Sequence, residues 1–268
     1  LIPLLGASRT IVAAATLNLA LAAWVFAADP LVRRAVRRRP SAIAATTMAL
    51  LAAGLLLVRP VPIILYSQIV RDKPMVKLVA YREDPVASVS VLEQEGFGRM
   101  LYVNDEGVGS TSRHDRLSHE VEIHQALLLH PRPERVLLIG MGLGLGVATA
   151  LTHDARIKAV ELSPSVVALN GAFASSFGQY RRQTGNDSPL EDPRVTVRIE
   201  DGRNYVLATD QRYDVIHVGG FRPLRSRSAA AFYSLEFFQD CRRILRPGGH
   251  LALWLPIHAV PHEDFRTI

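Results

Sequence analysis

Two long apolar runs without a charged side chain stand out near the start of the chain. Residues 11–28 and 41–58 are eighteen residues each. As a helix, each would reach about 27 Å at ~1.5 Å per residue, close to the hydrocarbon thickness of a bilayer. A cluster of five arginines separates the runs. We therefore predict two transmembrane helices in a membrane segment, residues 1–66. Two buried helices of a soluble bundle are the alternative interpretation.

The next part of the chain has the alternating pattern of short strands. Apolar and polar positions alternate over residues 87–92 and 100–103, which predicts a β-hairpin. Residues 117–130 have helical character, and Pro131 follows them. We assign residues 67–130 to a linker and a small N-terminal β-hairpin domain.

From residue 131 onward, short apolar runs alternate with helical segments. Five of these runs predict buried strands, at residues 136–139, 157–161, 195–199, 213–218 and 250–255. Strands that alternate with helices form a parallel sheet with right-handed crossovers. The fold class predicted for residues 131–268 is therefore α/β, a Rossmann-like class I methyltransferase fold. We expect its C-terminal strands to be missing and the sequence to be a piece of a longer membrane protein.

The charge of the chain is unevenly distributed. The 268 residues carry a net +6, of which residues 1–80 contribute +8 and the remainder −2. Basic residues near the start suit the flanks of membrane spans, and the nearly neutral remainder argues against a nucleic-acid-binding domain. Cys241 is the only cysteine, which excludes an internal disulfide and a cysteine-based zinc site. We predict that this thiol is buried on a helix, and we expect no metal cofactor.

Ligands of an open parallel sheet bind beyond the carboxyl ends of its strands. The glycine turn Gly140, Gly142 and Gly144 follows the first strand and permits close backbone approach to a ligand. Glu161 ends the second strand, where a carboxylate can accept both hydroxyls of a ribose. Asp201 follows the third strand and could accept a hydrogen from an adenine amine. Together they predict a nucleoside site, and Asp201 favours an S-adenosyl ligand over NAD. Each of these features, taken alone, also has a purely structural interpretation. Tight strand–helix packing would explain the glycine turn, a favourable interaction with the helix dipole would explain Glu161, and helix capping would explain Asp201.

Several segments resemble the spermidine synthase (polyamine aminopropyltransferase) family. They are GRML, PERVLLIGMGLGLG, AVELSP, DPRV…EDGRNY…YDVI and LRPGGHLALW, within residues 97–268. The likeness extends to the bacterial branch that fuses this domain to membrane spans. It implies decarboxylated S-adenosylmethionine or S-adenosylmethionine as cosubstrate and putrescine as acceptor. It also implies which residues bind the cosubstrate: Gly140, Gly142 and Gly144 in the glycine loop, Glu161 at the ribose, and Asp201 with Gly202 at the adenine.

The same resemblance implies residues on the substrate side. His119 and Glu120 match part of the Tyr-His-Glu of the family, with Ser118 in place of the tyrosine. After the fourth strand the family has an aspartate that helps deprotonate the attacking amine, but this chain has Gly219. A second aspartate position holds Arg222. We therefore assign no catalytic residue and name His119, Glu120 and Arg222 as substrate-side candidates.

Three functional hypotheses follow. The first is aminopropyl transfer by a membrane-anchored, spermidine-synthase-like protein, with His119 and His217 as candidate bases. The second is a catalytically degenerate, nucleoside-sensing domain that regulates the attached membrane part, which the missing aspartate favours. The third is a transferase acting on an anionic or lipid-borne acceptor, because Arg222, Arg225 and Arg227 would repel a diamine.

We expect a small-molecule substrate and no nucleic-acid partner, and we leave a homodimer open. The predicted location is the cell membrane, as an integral protein. The soluble domain is expected in the cytoplasm, where S-adenosyl compounds are made.

Overall fold

A computed structural model describes residues 7–28, 49, 75–219 and 227–255 of the chain. The chain divides into two compact units. The first comprises Leu1–Lys73 with Glu83–Pro85, and the second comprises Pro74–Arg82 with Val86–Ile268.

Helix α1 (Ala7–Ala28) belongs to the first unit and covers the first predicted membrane span. No helix within the described ranges is both long enough and apolar enough to cross a bilayer. The prediction of a span at residues 11–28 is therefore not supported. The second predicted span, residues 41–58, lies outside the described residues apart from Ala49.

The second unit begins with a four-stranded sheet. Its strands are β1 (Val76–Glu83), β2 (Ser88–Gln94), β3 (Gly98–Val103) and β4 (Glu106–Ser110), in the order β1-β2-β3-β4. The predicted hairpin is confirmed, because β2 and β3 pair antiparallel with Val91 opposite Leu101. β1 lies ahead of the predicted hairpin, within the segment 67–130 assigned to a linker and the small β domain, so the sheet is larger than the sequence pattern indicated.

A five-stranded parallel sheet forms the centre of the second unit, as predicted. Its strands are β5 (Arg135–Ile139), β6 (Arg156–Glu161), β7 (Val195–Ile199), β8 (Tyr213–Val218) and β9 (Leu245–Leu253). Their order is β7-β6-β5-β8-β9, and every neighbouring pair is parallel. The strand order reverses at β5, which has β6 on one side and β8 on the other. In such sheets this switch point is where a ligand crevice opens.

Helices cover this sheet. They are α2 (Arg113–Leu128), α3 (Leu145–Ala150), α4 (Pro164–Ala168), α5 (Gly178–Thr184), α6 (Gly202–Ala208), α7 (Arg227–Ala230) and α8 (Leu235–Ile244). The predicted start of α4 is confirmed, since the Ser163 side chain accepts a hydrogen bond from the Val166 amide at 3.3 Å and Pro164 occupies the first turn.

The central strand β5 of the large sheet is buried on both faces. Val136 and Leu138 belong to a core shared with α2, α3 and the small sheet, whereas Leu137 and Ile139 belong to a second core shared with α6 and α8. A strand covered on both sides must be apolar at every position, which explains its continuous apolar sequence. Cys241 is buried in the second core, on α8, as predicted.

Candidate functional site

A cavity of about 590 Å³ opens at the carboxyl ends of β5, β6 and β8, on the side of the large sheet that carries α2 and the small sheet. This volume is in the range of small-molecule sites. Of the residues predicted to form the site, the cavity brings together Gly140, Gly142, Glu161 and His119. Gly219, at the end of β8, also lines it.

The glycine turn after β5 has a backbone conformation that requires glycine. Gly140, Gly142 and Gly144 have φ angles of 84°, 51° and 84°, in the left-handed region that favours glycine. The Gly144 amide donates to the Met141 carbonyl at 2.9 Å, which closes the turn, and α3 begins at the next residue. At Gly140 and Gly142 the cavity wall is therefore formed by backbone without Cβ atoms.

Glu161 links this turn to the start of α4. Its Oε2 accepts a hydrogen bond from the Met141 amide at 2.9 Å, and its Oε1 accepts one from the Ser163 amide at 3.0 Å. These two bonds hold the carboxylate at the cavity wall. Because each carboxylate oxygen can accept about two hydrogen bonds, Glu161 keeps capacity for hydroxyl donors of a ligand.

Asp201 and Gly202 do not line the cavity, and both have structural roles. Asp201 is the N-cap of α6, and its Oδ1 accepts from the amides of Arg203 at 2.9 Å and Asn204 at 3.1 Å. A Cβ atom at Gly202 would collide with the Ile139 side chain, so only glycine permits this close packing.

The substrate-side candidates separate in the structure. His119 lines the cavity, whereas the Glu120 carboxylate lies 3.8 Å from the Arg116 guanidinium and does not line it. Arg222 and Arg225 lie outside the described residues, as does the side chain of Arg227.

The contact between Glu122 and His217 was not predicted from the sequence. His217 Nε2 lies 2.7 Å from Glu122 Oε1, and both residues line the cavity. The sequence held two signals for it. His217 is a polar residue within a strand that is predicted to be buried, and a buried polar group needs a partner. Glu122 lies three residues after His119 and so on the same face of a helix.

The ionisable groups of the cavity wall are mostly acidic. Three carboxylates, Glu106, Glu122 and Glu161, line it together with His119 and His217, and none of its described lining residues is a lysine or an arginine. A concave surface of one sign attracts ligands of the opposite sign. The described wall therefore favours a cationic ligand.

Comparisons with known proteins agree with this architecture. The family model of the spermine/spermidine synthase domain matches residues 116–254. The fold is similar to a crystal structure of spermidine synthase in complex with the transition-state analogue AdoDATO, with a TM-score of 0.53 and 23% identity, over 63% of this chain and 55% of that chain.

Two curated relatives, both named polyamine aminopropyltransferase, show the extent of the sequence match. The protein from Pyrobaculum calidifontis is 31% identical over 63% of this chain and 57% of its own length. The protein from Prochlorococcus marinus strain MIT 9313 is 33% identical over 63% of this chain and 56% of its own length. The chain thus spans little more than half of either relative. Because the family model matches just over half of this sequence, the chain belongs to the spermine/spermidine synthase domain family.

Proposed function

We propose that the second unit transfers an aminopropyl group from decarboxylated S-adenosylmethionine to an amine acceptor, a polyamine such as putrescine. The observation that carries this proposal is the acidic cavity wall with Glu106, Glu122 and Glu161. The donor carries a sulfonium and an ammonium, and a diamine is dicationic at neutral pH. Both reactants therefore match the sign of the described cavity wall, whereas an anionic acceptor does not.

The donor's nucleoside fits the glycine turn. The left-handed glycines allow the backbone to approach an adenosyl group without Cβ clashes, and Glu161 is held where its spare lone pairs can accept ribose hydroxyls. The names of the curated relatives, polyamine aminopropyltransferases, support the same donor and acceptor classes.

The reaction forms one bond and breaks one. The acceptor nitrogen attacks the aminopropyl carbon next to the sulfonium, and the carbon–sulfur bond breaks with its electron pair going to sulfur. The products are methylthioadenosine and a lengthened polyamine. An ammonium has no lone pair with which to attack, so a group on the protein must accept a proton from the acceptor.

Calorimetry combined with product analysis tests the proposal. The whole protein is titrated with decarboxylated S-adenosylmethionine, S-adenosylmethionine and methylthioadenosine, each with and without putrescine. We expect binding of the decarboxylated donor, followed by formation of methylthioadenosine and spermidine detected by mass spectrometry.

The matched variants are Glu161→Ala, which removes the carboxylate at the glycine turn, and Glu191→Ala, which removes an exposed carboxylate away from the cavity. Loss of about 1.5–3 kcal/mol from a charged hydrogen bond corresponds to roughly 10- to 150-fold weaker donor binding in the first variant only. Equal donor affinities in the two variants would show that Glu161 does not bind the nucleoside.

A nucleoside-sensing domain without turnover is the second candidate function. The specific observation in its favour is Gly219, which stands at the end of β8 where the family has an aspartate. Tight binding of the donor without product from any amine tested would select this alternative.

Membrane anchoring and membership of the membrane-fused branch are separate proposals, which depend only on the uncharged runs at residues 11–28 and 41–58. Alkaline extraction of cell membranes tests them. Release of the protein into the extract would refute integral anchoring. Protease protection in sealed cells tests the proposed cytoplasmic side.

A further inference from the structure

The contact between Glu122 and His217 joins two elements that are distant in sequence. Glu122 lies on α2 and His217 on β8, and their Oε1 and Nε2 atoms are 2.7 Å apart. The His217 side chain is only 7% exposed and that of Glu122 is 22% exposed. The contact is therefore shielded from bulk water and stronger than a surface pair.

The contact determines which ring nitrogen carries the hydrogen. A carboxylate can only accept hydrogen bonds, so Nε2 of His217 must be the donor to Glu122. In the neutral ring Nδ1 then has a lone pair and no hydrogen. Within the described part of the chain, the only hydrogen bond of the ring is the one at Nε2.

The His217 ring lies beside the position from which a carboxylate would act. A Cβ atom built on Gly219 would lie 3.7 Å from His217 Cε1, and equally far from the carbonyl oxygens of Gly140 and Ile139. All three distances are ordinary contacts. A side chain at this position would therefore fit without a clash, and it would touch the imidazole.

We infer that His217 accepts the acceptor amine's proton at Nδ1, with Glu122 as a positioning residue that fixes the tautomer and compensates the charge of the protonated ring. The inference rests on the proposed aminopropyl transfer and names the base for it. A carboxylate that holds an imidazole in one tautomer while the other nitrogen takes a proton is an established arrangement in acyl transfer. Here His217 and Glu122 together deprotonate the acceptor amine. In the family an aspartate assists this step, and Gly219 has no side chain to do so.

The proton and electron balance is complete without another reactant. Nδ1 takes one proton from the ammonium of the acceptor, which leaves a neutral amine with a lone pair. That lone pair forms the new carbon–nitrogen bond as the carbon–sulfur bond breaks toward sulfur. The imidazolium then releases its proton to solvent.

The test compares His217→Gln and Glu122→Gln with the unaltered protein in steady-state transfer from decarboxylated S-adenosylmethionine to putrescine. The glutamine amide at position 217 can still donate to Glu122 but cannot take a proton. We expect kcat to fall about 100-fold or more in His217→Gln, the range for loss of general base catalysis, and about tenfold or more in Glu122→Gln, where the base stays but loses its orientation. KM for the donor should stay within threefold of the original value.

His124→Gln is the matched control, since His124 lies on α2 two residues from Glu122, contacts His153 and does not line the cavity. Methylthioadenosine binding checks that each variant is folded, and His217→Asn replaces the glutamine variant if that one does not fold. An equal loss of kcat in His124→Gln overturns the inference, because the effect would then be structural.

Failure of this inference is distinguishable from failure of the proposed function. If the unaltered protein makes spermidine and His217→Gln keeps kcat within threefold, the inference is wrong and the proposed function stands. If the unaltered protein binds the donor but transfers nothing to putrescine, cadaverine or spermidine, the proposed function is wrong and this inference fails with it.

Discussion

The side chain of Asn170 occupies the space that a Cβ atom on residue 144 would need. The Asn170 amide nitrogen would collide with such an atom, and it donates to the Leu143 carbonyl at 2.7 Å. Gly144 also has a φ of 84°, at the point where the glycine turn enters α3. Two independent constraints, one local and one tertiary, therefore require glycine at this position.

Gly144→Ala is expected to destabilise the protein by about 2–5 kcal/mol, the sum of left-handed strain and the collision with Asn170. Urea denaturation measures the loss. Gly171→Ala is the control, because Gly171 has no positive φ and a Cβ there meets nothing within 4 Å. A Gly144→Ala variant as stable as Gly171→Ala would contradict both constraints.

Asp201 gives a prediction that separates helix capping from ligand binding. Asp201→Ala should lower the free energy of unfolding by about 1 kcal/mol, whereas Asp201→Ser keeps a capping oxygen and should cost only a few tenths. If the carboxylate also contacts the adenine, both variants should bind methylthioadenosine about tenfold more weakly. Thermal unfolding and calorimetry provide the two readouts. Unchanged binding by Asp201→Ser would restrict Asp201 to its cap.

Asp214 is expected to contribute to acid stability. Burial raises the pKa of this carboxyl, but the backbone amides of Arg135 and Glu134, at 2.8 and 2.9 Å, and the Arg246 guanidinium, at 3.2 Å, together hold the pKa below its usual range. As pH falls, the unfolded chain takes up this proton before the folded protein does. The stabilisation is therefore present above the ordinary aspartate pKa of about 4 and is lost as pH falls through the lower folded value.

Asp214→Asn should accordingly lower the free energy of unfolding by about 1.5–3 kcal/mol at pH 7 and flatten its decline in acid. Denaturant titrations from pH 7 down to the acid limit measure both effects. Asp210→Asn serves as the control, because Asp210 is exposed. An Asp214→Asn variant with the same acid profile as the unaltered protein would show that the network around Asp214 has no net effect.

Cys241 is expected to be inert in the folded protein. Burial, assisted by the charge of Asp240, raises the pKa of its thiol to about 12, and the side chain is 1% exposed. Alkylation requires the thiolate and access to it. Iodoacetamide at pH 8 should therefore modify the protein only in denaturant, as mass spectrometry would reveal. Stoichiometric labelling without denaturant would mean that α8 opens readily.

The part of the site proposed to bind the nucleoside was accessible from the sequence because its signals are local. The glycine turn, Glu161 and the Ser163 cap each depend on a few consecutive residues at a strand end, and a parallel sheet brings strand ends to one edge. The same logic placed Asp201 after its strand, but its side chain is used by the adjacent helix.

Local patterns in the sequence were enough to predict the parallel sheet, its five strands, the hairpin and the glycine turn, because hydrophobic periodicity and glycine act over short distances. The tertiary structure alone decided the rest of the site. Glu122 and His217 are 95 residues apart, and they meet only because α2 packs against β8. No local pattern specifies such a contact, since the packing of α2 on the sheet depends on the whole core between them.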